Sequence, residues 1–92
     1  IVTLGSHAFR FVRPYLDPSG LRGWHDSVLN HDLHTLRCHG QSYLVGTLYH
    51  TSVRGMIARA RLGGATGTQL LEKGLTLTKD DLRELLTKAH VP

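Results

Sequence analysis

Ninety-two residues, 40% hydrophobic and 20% charged, are enough for one small globular domain and exclude a disordered or fibrous chain. Eleven Lys and Arg against seven Asp and Glu leave a net charge of +4 with histidines neutral, a balance that favours anionic partners. The one cysteine, Cys38, excludes an internal disulfide, and no run approaches the roughly 18 apolar residues of a membrane helix.

A chain this short buries only about 60–65% of the surface its unfolded form exposes, so self-association is a natural source of added stability. A lone cysteine fits a reducing compartment, which predicts an intracellular address, the nucleus included. The first residues lack the basic-then-apolar pattern of a signal peptide. Ile1 stands where an initiator Met would, so residues 1–92 read as one α+β domain cut from a longer chain.

From Ile1 to Val12 the composition leans to β, with Phe9, Phe11 and Val12 set among His7, Arg10 and Arg13, and Pro14 removes a backbone donor. This predicts a strand at Ala8–Arg13. Asp17-Pro18-Ser19-Gly20 carries turn chemistry. Leu21, Trp24 and Val28 are helically spaced, which predicts a short helix from Ser19 or Gly20 to Asn30, although Gly23 costs up to about 1 kcal/mol inside it. Trp24, the only tryptophan, is expected to anchor the core.

Residues 33–49 read as a β-hairpin around His39-Gly40-Gln41, with Gly46 marking a bulge or a close backbone approach. Thr51 to Gly64 is an arginine-bearing helix, opened by Thr51 or Ser52 as cap and closed by Gly63 or Gly64 in the left-handed conformation. At about 100° per residue, Val53, Met56, Ile57 and Ala60 share one face and Arg54 and Arg61 another, with Arg59 on the flank opposite to that pair. Thr66 or Thr68 begins a single helical turn that Gly74 stops, and Leu75-Thr76-Leu77 extends. A last helix is predicted from Thr78 to His90, with Thr78 and Asp81 as a capping box, Leu82, Leu85, Leu86 and Ala89 on its buried face, and Pro92 as its stop.

Guanidinium suits phosphate because its planar fork donates two parallel hydrogen bonds and stays charged. Arg54, Arg59 and Arg61 are therefore the candidate phosphate contacts, with Arg37 assisting; Arg10, Arg13, Arg22 and Lys73 join them only if the fold gathers them. The glycines of residues 63–68 lack the Lys of a phosphate-binding loop and are explained by a helix end and a turn. His31, His34, Cys38, His39 and His50 are ligand types for zinc, but their spacing does not converge. A Cys38–His50 dyad would need the two within hydrogen-bond reach.

The expected function is non-enzymatic binding of the DNA or RNA phosphate backbone, with no metal, no cofactor and no membrane. The alternative is a protein-interaction or self-association module using the Leu82, Leu85 and Leu86 face or the hairpin edge. A metal-dependent or cysteine enzyme is the third reading.

Overall fold

In the computed structural model, which describes residues 1–90, three strands form a mixed sheet: β1 (Val2–Leu4), β2 (His34–Cys38) and β3 (Gln41–Leu48). Their spatial order is β1-β3-β2. β2 and β3 are the expected hairpin, antiparallel with Leu36 opposite Tyr43 and Cys38 opposite Gln41. His39 and Gly40 turn it with φ of 52° and 76°, the left-handed pair that a two-residue hairpin loop needs to match strand twist. β1 lies parallel to β3 on the other side, Thr3 beside Thr47.

Burial along β3 is segmental rather than alternating: Gln41–Leu44 is exposed and Val45–Leu48 is buried. Only the second half is sandwiched. On one face the Trp24 indole N–H donates to Thr47 Oγ1 at 2.9 Å. On the other, Leu85 occupies the space above Gly46, where a Cβ would come within 2.8 Å of its methyl. The β2 ladder ends at Val45 and the β1 ladder begins at Gly46 with no extra residue in either, so this glycine marks close approach rather than a bulge.

Four α-helices complete a small α+β domain. The first corrects the sequence reading: Ala8–Arg13 is not a strand but belongs to α1 (Gly5–Val12) and the 3₁₀ turn Arg13–Tyr15. Phe9 is buried and Val12 packs beside it, a helical i, i+3 pair, while Phe11 stays exposed. Pro14 sits in the first turn of the 3₁₀ segment, where its missing N–H costs nothing. α2 (Trp24–Leu29) is shorter than expected, because Asp17 Oδ1 accepts from the Ser19 N–H at 2.9 Å and Leu21 N–H bonds to Pro18 C=O. Those bonds hold residues 17–21 in turns, and Gly23 becomes the residue before the helix rather than one inside it.

α3 (Val53–Leu62) matches its expected caps: Ser52 Oγ accepts from Gly55 N–H at 3.1 Å, and Gly64 follows with φ 89°. Met56 and Ala60 are buried as expected, but Val53 is 61% exposed and Arg59 takes a place in the buried face. α4 (Leu70–Lys88) is one continuous helix of 19 residues, where the sequence reading expects a turn, a break at Gly74 and a new start at Thr78. Gly74 does not stop it. α3 crosses there so closely that a Cβ would lie 1.9 Å from Met56 O. Thr78 is no cap but buried, its hydroxyl donating to Met56 Sδ at 3.4 Å. Pro92, the expected stop, lies outside the described residues.

Two apolar clusters form the core: Phe9, Leu16 and Val45, and Val28, Tyr49 and Met56. Trp24 packs against both, as a core anchor should. No helix among the described residues is long and apolar enough to cross a membrane.

Gly74 yields a stability prediction. Alanine there gains about 1 kcal/mol of helix propensity, yet its methyl must push two helix backbones apart. Overpacking of about 1–3 kcal/mol against that gain leaves Gly74→Ala a net loss of up to about 2 kcal/mol in urea denaturation. A more stable variant would show that α3 and α4 do not pack through this position.

Candidate functional site

The four arginines singled out in sequence go to three different environments. Arg59 is 5% exposed and points into the α3–α4 junction, where Nε donates to Asp81 Oδ2 at 2.7 Å and Nη2 to Asp81 Oδ1 at 3.0 Å. His31 Nε2 lies 2.9 Å from the same Oδ1. A guanidinium consumed by a buried carboxylate is not free for phosphate, so Arg59 leaves the candidate set. Arg37, exposed on β2, borders a depression that also holds Tyr15 and Asp17. The Asp17 carboxyl is held below its ordinary pKa first by the Ser19 N–H, with Arg37 a smaller influence. Arg54 and Arg61 are exposed at the two ends of α3.

Arg54 has companions that sequence spacing does not reveal. It borders a depression of about 500 Å³ with His7, His50 and the Trp24–His25 corner. Ser6, Trp24 and His25 are shared with a second depression of about 440 Å³ bordered by Arg10 and Arg13, and those two arginines border a third that runs to Pro18 and Leu21. Together they make one groove between α1, the start of α2 and the start of α3. Arg10, Arg13 and Arg54 supply fixed charge, and His7, His25 and His50 supply imidazoles. Among the described residues, none that lines these three depressions is acidic, and through Leu16 and Pro18 the third adjoins the depression that holds Asp17 and Arg37.

The helical form of α1 is what creates this arrangement. In a strand, residues 10 and 13 would point to opposite faces; on a helix, i and i+3 share one side, and with Phe9 turned inward Arg10 and Arg13 both reach the groove. At the other end the Ser52 N–H donates to His50 Nδ1 at 3.1 Å. A backbone N–H can only donate, so the neutral ring carries its proton on Nε2, which remains available as a donor. Trp24 forms the floor, its ring centroid 4.4 Å from Tyr49 and 5.1 Å from His25.

The zinc-type residues scatter. His31 bonds to Asp81, His34 is buried against Ser27 and Phe9, Cys38 and His39 are exposed at the hairpin turn, and His50 joins the groove. Among the described residues no three His, Cys, Asp or Glu side chains are placed to hold a metal ion. Cys38 pairs opposite Gln41 and His50 lies beyond Leu48, so the length of β3, on the order of 25 Å, separates the proposed dyad. Compared with protein-family models, curated proteins and solved structures, the chain gives no match.

His34 gives the structure a pH dependence. Burial pushes its pKa below the ordinary 6.5, partly opposed by Asp32 and reinforced by Arg13 and Arg22. A depressed histidine lets the unfolded chain bind the proton first, so stability is full above about 6.5 and falls as pH drops toward the lower folded value. The urea midpoint should therefore decline on acidification through that window, and His34→Gln should decline less. A variant as acid-sensitive as the parent would assign the effect elsewhere.

Proposed function

We propose that the domain binds nucleic acid without catalysis, laying the phosphate backbone along the groove between α1 and α3. The observation that carries this reading is the grouping of Arg10, Arg13 and Arg54 with His7, His25 and His50 on a surface whose lining residues include no acid. Three guanidiniums donate in pairs to phosphate oxygens, and the imidazoles add ring N–H donors. Arg61, exposed near the far end of α3, extends the basic surface beyond the groove. Phosphate contacts of this kind position a polymer without reading its sequence.

Counterion release makes the reading measurable. Each neutralised phosphate contributes a slope of about −0.9 on duplex DNA, or about −0.7 on a single strand, to log K against log salt. Arg13→Ala combined with Arg54→Ala should flatten that slope by about 1.4–1.8 units, while Arg37→Ala, in the adjoining depression beside Asp17, should change it less. Binding indifferent to salt, or no binding to DNA or RNA, would remove the proposal.

A second reading is favoured by one surface. Leu85 is buried on Gly46, but its neighbours Leu82 and Leu86 are 37% and 40% exposed on α4. Val2, Leu4 and Leu44, also exposed, lie on the same sheet face as Gly46. The outer edge of β2 is partly covered, since Leu16 bridges to Leu36 and Asp17 N–H bonds to Thr35 C=O, which leaves β1 as the freer edge. Self-association here predicts a dimer in sedimentation across a concentration series, weakened by Leu82→Glu with Leu86→Glu; a monomer throughout rules this out.

A further inference from the structure

The groove has a floor as well as basic walls. Trp24 and His25 lie where the depression of Arg10 and Arg13 meets that of Arg54. The indole is fixed from behind, by its N–H on Thr47 Oγ1 at 2.9 Å and by Tyr49 packed at 4.4 Å, yet it remains only half-buried. His25 is exposed and tilted 59° to it. We infer that the groove takes single-stranded nucleic acid in preference to duplex, stacking a base on the Trp24–His25 corner while the flanking phosphates meet Arg10 and Arg13 on one side and Arg54 on the other. This rests on the phosphate-binding reading of the same groove.

Three features carry the preference. A paired base is already stacked within its helix and cannot stack on a half-buried ring, whereas an unpaired base swings out onto it. Trp24 is held in place before any ligand arrives, so stacking on it orders little that is not already ordered. Finally, the two depressions that meet at this corner contain neither carboxylate nor carboxamide side chains, the groups that read adenine and cytosine edges. With the arginines on phosphate, recognition falls mainly to ring faces, which every base presents.

Trp24 is the only tryptophan, so its fluorescence reports on the corner directly. The intact chain would be titrated at pH 8 with oligothymidylate, oligouridylate and a duplex of matched length at equal salt. Both single strands should quench Trp24 and bind more tightly than the duplex; a difference between them tells DNA from RNA preference. His25→Ala, at an exposed position, should weaken single-strand binding roughly 5- to 150-fold and change duplex binding little. Duplex bound as tightly as single strand, or single strands bound without quenching and without loss in His25→Ala, overturns the inference and leaves salt-dependent phosphate binding standing. If no nucleic acid binds, both fall together.

Discussion

The interaction on which the rest depends is the buried ion pair of Arg59 and Asp81. Neither side chain reaches bulk water, and an isolated charge in that position would cost many kcal/mol, so each is tolerated only because of the other. The guanidinium fork meets both carboxylate oxygens, and His31 adds a third contact from the segment after α2. Lys88 Nζ ties the same segment to α4, donating to the Asn30 and His31 carbonyls at 2.8 and 3.0 Å. The energetic weight of such a pair lies in its breaking. Removing one partner costs about 3–5 kcal/mol, while replacing both by apolar residues of similar volume is often neutral. Arg59 and Asp81 therefore select the one helix register in which they meet, the same register that seats Gly74 on the Met56 carbonyl and Thr78 on the Met56 sulfur.

That register fixes the outward face of α3. At about 100° per residue and measured in one sense, Arg54 is displaced about 220° and Arg61 about 200° from Arg59. Locking Arg59 inward therefore turns the other two outward along a common stripe. The approach to the helix is equally constrained, since a Cβ at Gly55 would lie 2.0 Å from His50 O, so the chain before α3 lies directly against its first turn. His50 and Arg54 are thus delivered to the groove by contacts that belong to the core.

What could be read from sequence was whatever local chemistry decides. The hairpin turn at His39-Gly40 and the Ser52 cap of α3 each have a mechanism within a few residues, and both are present. The failures share a different cause. Phe9, Phe11 and Val12 fit either period over so short a run, and only the sheet edge occupied by Val2–Leu4 and the pocket that receives Phe9 decide for a helix. Gly74 looks like a helix stop because glycine is unfavourable in a helix interior, until a second helix needs the missing Cβ. Asp81 looks like a cap for the same reason that it makes a good partner: a short carboxylate serves either a helix N-terminus or a guanidinium. Each of these choices is made by a segment far away in the chain. The groove inherits the difficulty, because Arg10 and Arg13 join Arg54 only once α1 is a helix.

A net charge of +4 over 92 residues would mean little if it were spread evenly. It is not, because four of the seven acids are engaged elsewhere. Asp81 holds Arg59, Asp80 holds Arg83, and Asp32 lies 3.1 Å from Arg22, off the line of a hydrogen bond, while Asp17 accepts from the Ser19 backbone. The groove keeps its positive charge undiluted, and a concave wall of one sign concentrates its field on whatever enters. Trp24 gives the same groove an aromatic surface held by the core. Because the same ring packs against both core clusters, the floor of the groove is continuous with the core.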